Sequence, residues 1–303
     1  MTRALRLLAS LVALAGVIWL VDPASLRPYL RGLDAGWMAL AIALLGAQVA
    51  VSALRWQVTA RALGVRLPTL WALCEYHLSV LGNTVLPGGV LGDVGRVARM
   101  RAYGGWRLSV GSVVIERLAG QVALACAAIA GVGWWAMAEY GVAVTGVIAA
   151  AGAAVLALGV AGSRLLPVGV RDALAAAWLS PQVVAPQLAY TGVILCCNLG
   201  GVWAAAQAVG VQLDLGAALF VIPLTLLAML LPVSVNGWGL REGVALALWP
   251  VVGVGGAQAV AASISFGLAA LGAALLAGIP WAVQLGLGRQ PLPAVPESER
   301  KRP

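Results

Sequence analysis

Apolar residues run along this chain in long blocks, separated by short polar clusters that are mostly arginine. Blocks at residues 5–21, 36–54, 110–137, 142–162, 185–209 and 260–287 come close to or exceed the about 20 apolar residues that a helix needs to cross a bilayer. They predict about six membrane-spanning helices. Two further stretches, 67–91 and 215–252, are apolar but interrupted by Pro and Gly. Residues 162–181 carry Arg164, Arg171 and Asp172, are too broken to cross, and predict an interfacial helix or loop. The first block follows Arg3 and Arg6 as in a signal peptide. No clear small-x-small cleavage site precedes Asp22 and Pro23, so it reads as a first membrane helix.

Arginine placement orients these blocks, because basic residues collect on the cytoplasmic side. Arg3 and Arg6 put the N-terminus in the cytoplasm, and two crossings return Arg55, Arg61 and Arg66 to it. After the apolar stretch 67–91 comes a second basic cluster of Arg96, Arg99, Arg101 and Arg107. A single crossing by 67–91 would strand one cluster outside, whereas a re-entrant hairpin keeps both inside. With that topology 15 of the 19 basic residues are cytoplasmic; Arg27, Arg31 and Arg241 lie outside and Arg117 lies within a span. Both termini are then cytoplasmic. Residues 1–288 form one membrane domain, and 289–303, rich in Pro, Glu and Arg, form a disordered cytoplasmic tail.

Composition agrees. Of 303 residues 62% are apolar and 10% charged, against about 25% charged in a soluble chain. That excludes a soluble domain, and it makes the net charge of +8 a matter of membrane topology rather than nucleic-acid binding. Cys74, Cys126, Cys196 and Cys197 lie in apolar stretches without ligand spacing, and His77 is the single histidine, so neither metal nor cofactor is expected. Most of the tryptophans, among them Trp19, Trp37, Trp56, Trp106 and Trp249, fall near span ends and predict an interfacial belt.

The two interrupted stretches match. One reads Leu86-Pro87-Gly88-Gly89 and on through Gly92 and Asp93 to Arg96; the other reads Leu231-Pro232 and on through Asn236, Gly237 and Gly239 to Arg241. Leu-Pro, a Gly five residues after the Pro and an Arg nine after it coincide. With the first stretch entering from the cytoplasm and the second from outside, they form an inverted repeat of re-entrant hairpins, an arrangement that marks transporter midplane sites. Proline breaks the helix and removes a donor, glycine permits turns and close approach of backbone to ligand, and arginine offers a fork suited to phosphate. Pro87, Gly88, Gly89, Gly92, Pro232, Gly237 and Gly239 would then shape the turns, and Arg96 and Arg241 would hold phosphate. Asn83, Asp93, Asn236 and Glu242 would orient it. Glu116 and Arg117 sit in an apolar stretch, where a charge needs a cavity or partner. Glu116 could reach Arg96, or Arg117 a lipid phosphate. Simpler readings remain for each: Pro and Gly as packing residues, Arg96 as a topology charge, Glu116 and Arg117 at the cytoplasmic boundary.

These residues resemble the lysylphosphatidylglycerol synthase transmembrane family, the flippase-like domain family that includes the membrane half of the multiple peptide resistance factor. The likeness rests on Arg55-Trp56, on Asn83 through Gly89 with Gly92, Asp93 and Arg96, on Glu116-Arg117-Leu118, and most specifically on Pro232 through Glu242. It spans nearly the whole chain and implies an integral protein of the bacterial inner membrane that moves lipids between leaflets. A synthase domain is not expected, and the sequence departs from the pattern at Gly120 and Gln121, where the resemblance implies an acid.

The expectation is therefore an all-α polytopic membrane protein, not an enzyme, that translocates a phospho- or glycolipid headgroup. Its partners are membrane lipids and not nucleic acid. Two alternatives stay open: a membrane enzyme acting on lipid-linked sugars, with Asp93, Glu116, His77 and Arg96 as acid, base and phosphate clamp, and an accessory subunit for a soluble lipid-modifying enzyme.

Overall fold

The computed structural model describes residues 3–86, 89–230, 237–276 and 278–280, and the side chains of these except 3–11, 156 and 230. The described residues contain helices and no strands. In order they are α1 (Arg3–Val21), α2 (Pro23–Arg31), α3 (Ala35–Ala62), α4 (Thr69–Val85), α5 (Leu91–Tyr140), α6 (Val142–Ser163), α7 (Val168–Trp178), α8 (Pro181–Gln207), α9 (Leu215–Leu227), α10 (Leu240–Leu248) and α11 (Gly256–Leu275). Helices α3, α5, α6, α8 and the run Gly256–Pro280 are long and apolar enough to cross a membrane. The protein is an all-α polytopic membrane protein.

Most of the expected blocks coincide with helices, with two differences. Helix α3 continues past residue 54 to Ala62. A short helix, α2, begins where Asp22 accepts a hydrogen bond from Ala24 N at 3.0 Å and Pro23 occupies the first helical position. The segment expected at the interface contains α7. The tail from 289 lies outside the described residues, as do Pro87, Gly88, Pro232 and Asn236.

Gly105 sets the geometry of the first interrupted stretch. Its φ of 71° and ψ of 178° divide α5 into two arms, a conformation that a side chain would strain. The first arm, 91–104, packs back along α4, and the second is a long helix that packs on α6 and α9. Helix α4 and this first arm thus form a helical hairpin closed at 86–90. Its two open ends meet: a Cβ on Gly104 would lie 2.7 Å from Val65 Cγ2, just before α4 begins. The two basic clusters, around Arg61 and Arg101, therefore lie at the same end of the molecule. Exposed Arg107 reaches Gly169 of α7, bringing Arg164 and Arg171 to that end as well.

The opposite end joins the start of α3 to the end of α8 through Asp34 N donating to Ala208 O at 2.9 Å. Trp135, near the end of α5, stacks on Phe220 of α9 with ring centroids 4.5 Å apart. The stretch α9–α10 thus begins at the end opposite to that of α4. The packing also has an exchange pattern: α3 lies on α8, α5 packs on α9 as α11 packs on α4, and α11 packs on α3 as α5 packs on α8.

Candidate functional site

The hairpin closes on Asn83. Its Oδ1 accepts from Gly92 N at 2.9 Å and Asp93 N at 3.4 Å, and its Nδ2 donates to Asp93 Oδ2 at 3.0 Å. One side chain thereby satisfies two free N–H groups at the start of α5. Gly92 lies against the Ser79 backbone so closely that a Cβ would overlap it. That contact brings Ser79 Oγ within 2.9 Å of Asp93 Oδ1.

Asp93 links the hairpin to a buried charge centre. Arg96 Nη2 donates to Asp93 Oδ1 at 2.9 Å and lies 3.7 Å from Glu116 Oε2. Arg117 pairs with Asp93 Oδ2. Glu116 Oε1 accepts from Arg55 Nη2 at 2.8 Å and from Tyr76 Oη at 3.0 Å. The Arg96 guanidinium sits between two aromatic faces, 4.6 Å from the Trp56 ring centroid and 4.4 Å from that of Tyr76. Such stacking suits a planar, weakly hydrated cation.

Three guanidinium groups (Arg55, Arg96 and Arg117) thus meet two carboxylates (Asp93 and Glu116). Arg55 Nε and Arg96 Nε and Nη1 are buried without a hydrogen-bond partner among the described residues. Glu75 and Arg99 form a separate, balanced pair nearer the basic end. An excess of one cation, with spare donors on the buried arginines, is an arrangement that an anion would complete.

Two expectations are overturned here. Arg55 is not an exposed basic residue at a span end: its side chain is buried and pairs with Glu116, and the burial of Arg96 removes the simpler reading of it as a topology charge. Trp56 and Trp249 are not interfacial belt residues: both are fully buried, donating through Nε1 to Ser112 Oγ at 3.2 Å and Thr225 Oγ1 at 2.9 Å.

The second stretch has its own charge group. Arg241 Nη2 and Nε donate to Glu242 Oε1 at 2.6 and 3.1 Å, and Nε also donates to Ser263 Oγ at 2.8 Å. Glu242 Oε2 accepts from Gly239 N at 2.7 Å. Arg241 also lies over the rings of Trp238 and Phe266, at 5.1 and 5.0 Å. Its charge is matched by Glu242, although Nη1 has no partner among the described residues. No described hydrogen bond or ion pair joins this group to Arg96. Each group nonetheless follows one plan: a turn, an arginine at the start of a helical arm, aromatic rings over it, and a partner on the next long helix.

Of the expected site residues, the structure brings Asn83, Asp93, Arg96, Glu116 and Arg117 into one cluster and Arg241 and Glu242 into another. Gly89, Gly237 and Gly239 lie in the turns with φ of 64°, 80° and 84°. His77 joins neither cluster; its Nδ1 lies 2.8 Å from Leu73 O of its own helix. Arg55, Tyr76, Ser79 and Ser263 are the members that reading the sequence did not place in a site.

A polytopic helical protein with arginine-centred charge groups buried between its long helices is the class that this architecture defines. Residues 6–278 match the family described as the lysylphosphatidylglycerol synthase TM region, and the chain belongs to that family. No curated protein matches the chain. Membership makes it a lipid-related membrane protein.

Proposed function

We propose that the protein moves a phospho- or glycolipid headgroup between the leaflets of a bacterial inner membrane, without chemical change to the lipid. The carrying observation is a cluster with one arginine more than its carboxylates, in which buried Arg96 keeps Nε and Nη1 without a partner among the described residues. A lipid phosphate would neutralise that excess and accept from those donors. In this reading both hairpins dip into the membrane from opposite faces. Irregular backbone at such turns is tolerated at membrane depth only within protein or beside a wet cavity, so this reading requires one or the other there. Acyl tails stay in lipid while the headgroup follows the polar interior.

The experiment is headgroup exchange in proteoliposomes, using labelled phosphatidylglycerol, aminoacylated lipid and polyprenyl-phosphate sugars. The reading expects the protein to accelerate at least one of these over protein-free vesicles. Acceleration of none would overturn it. An accessory role is favoured by a different observation: Arg61, Arg66, Arg101, Arg107, Arg164 and Arg171 are all exposed at one end. Under that role, reversing these charges would release a soluble lipid-modifying enzyme from membranes and leave exchange unchanged.

A further inference from the structure

Arg117 differs from the other two arginines of its cluster. Its side chain is 44% exposed, against 3% for Arg55 and 1% for Arg96. It is nonetheless deep. Asp93 and Arg117 are each twelve residues from Gly105, on the two arms that fold together there. At about 1.5 Å per residue both lie roughly 18 Å from that bend, which puts Arg117 roughly 10 Å into the apolar run that begins at residue 110. A guanidinium open to lipid at that depth is costly without an anion.

The surface beside it continues toward the basic end. Arg107, Val110, Val114 and Leu118 recur at helical spacing on the outward face of α5 and are exposed. Gly111, between them, has open space where a side chain would be. On the hairpin next to Asp93, Val90 and Val94 are 49% and 57% exposed. A cationic group thus stands at each end of an apolar strip, with exposed valines on both sides for acyl tails. Charge and polarity together fit a lipid that carries phosphate.

The Asp93–Arg117 pair is unequal in what each partner can lose. Asp93 also accepts from Ser79, Asn83 and Arg96, so it stays satisfied without Arg117. Arg117 has Asp93 as its one anion among the described residues. Helix α11, which follows the second stretch as the long arm of α5 follows the first, contains no ionisable residue.

We propose that the outward strip of α5 from Arg107 to Arg117 is the lateral approach for a phosphate-bearing lipid, whose phosphate replaces Asp93 on Arg117 before reaching Arg96. This rests on the lipid reading above and adds a place and a residue to it. The approach exists on one half of the molecule.

The test is lipid retention by the purified full chain in mixed micelles of phosphatidylglycerol and diacylglycerol, read by native mass spectrometry. The wild type retains phosphatidylglycerol in preference to diacylglycerol. Arg117→Gln lowers that retention about tenfold, the equivalent of one charge-assisted pair. Arg117→Lys, which keeps a charge opposite Asp93, retains an intermediate amount and shows that the loss is not a folding failure. Retention by Arg117→Gln equal to wild type overturns the proposal. So does displacement of the lipid by excess inorganic phosphate, which would assign the site to a soluble anion. Headgroup exchange separates the two readings. If wild type exchanges lipid and Arg117→Gln does so equally, the approach fails and translocation stands. If lipid is held through Arg117 but never exchanged, translocation fails and this site stands.

Discussion

Arg96 and Glu116 approach to 3.7 Å across the hairpin and the long arm of α5, while the other oxygen of Glu116 is held by Arg55 at 2.8 Å. One carboxylate thus sits between two buried guanidinium groups contributed by different helices. The contact ties α3, the hairpin and the long arm of α5 together. It also concentrates positive charge near the closed end of the hairpin.

Removing that carboxylate is expected to destabilise strongly. Glu116→Ala leaves Arg55 and Arg96 buried and short of charge, a loss of about 3–5 kcal/mol. Glu75→Ala breaks a pair whose arginine is 38% exposed, and water can replace much of it, so it should cost distinctly less. Thermal unfolding in detergent ranks the two; equal midpoints would contradict the buried network.

Close backbone packing at the hairpin gives a second expectation. A Cβ on Gly92 would sit 2.7 Å from the carbonyl carbon of Ser79, with no flexible group to move aside. Gly92→Ala should cost more than about 3 kcal/mol, the upper range for overpacking. Gly133, on the long arm of α5, has nothing within 4 Å of the position a methyl group would take. Gly133→Ala should therefore be neutral or stabilise by up to about 1 kcal/mol through helix propensity. Unfolding midpoints of both variants check this, and a tolerated Gly92→Ala would refute the packing account.

The two arginine groups should contribute unequally to headgroup exchange. Arg96 belongs to a cluster with a spare cation, whereas Arg241 is matched by Glu242. Arg96→Ala should slow exchange about tenfold or more, the equivalent of a lost charged hydrogen bond, and Arg241→Ala by a smaller factor. Rates unchanged in both would remove these residues from the path.

Gly120 offers a test by addition. An added Cβ there would lie 3.3 Å from Arg55 Nη2, at the place where the family resemblance implies an acid. Gly120→Asp should pair with Arg55, cancel the excess charge and slow exchange of anionic lipids. Faster exchange would show that the excess cation is not what holds the headgroup.

Much of this was legible in the sequence because charges inside apolar blocks are few and each needs a partner. Glu116 and Arg117 stood out for that reason, and Asp93 and Arg96 stood out through the match between the two interrupted stretches. The Pro and Gly interruptions, with arginine clusters on both sides, marked the hairpin. Arg55 was hidden by its neighbours: it follows the apolar block 36–54 and precedes Arg61 and Arg66, so it read as one more basic residue at a span end. Its burial comes from α3 running on to Ala62 and packing along α8, which is a tertiary fact. Tyr76 and Ser79 carry no periodic signal, since a single hydroxyl in an apolar helix can face lipid, protein or cavity. Helix α2 was different: Asp22-Pro23 is a helix-start signal that could have revealed it. The kink at Gly105 had no such marker, because Gly104 and Gly105 are two among 38 glycines.

The most direct measurement concerns the path of residues 67–105. Single cysteines at Arg61, Arg101 and Tyr140, in a chain whose four native cysteines are replaced by alanine, can be labelled from either side of sealed vesicles. The account expects positions 61 and 101 to react from one side and position 140 from the other. Labelling of 61 and 101 from opposite sides would mean that the hairpin threads the membrane, and the charge centre built on its return would be lost with it.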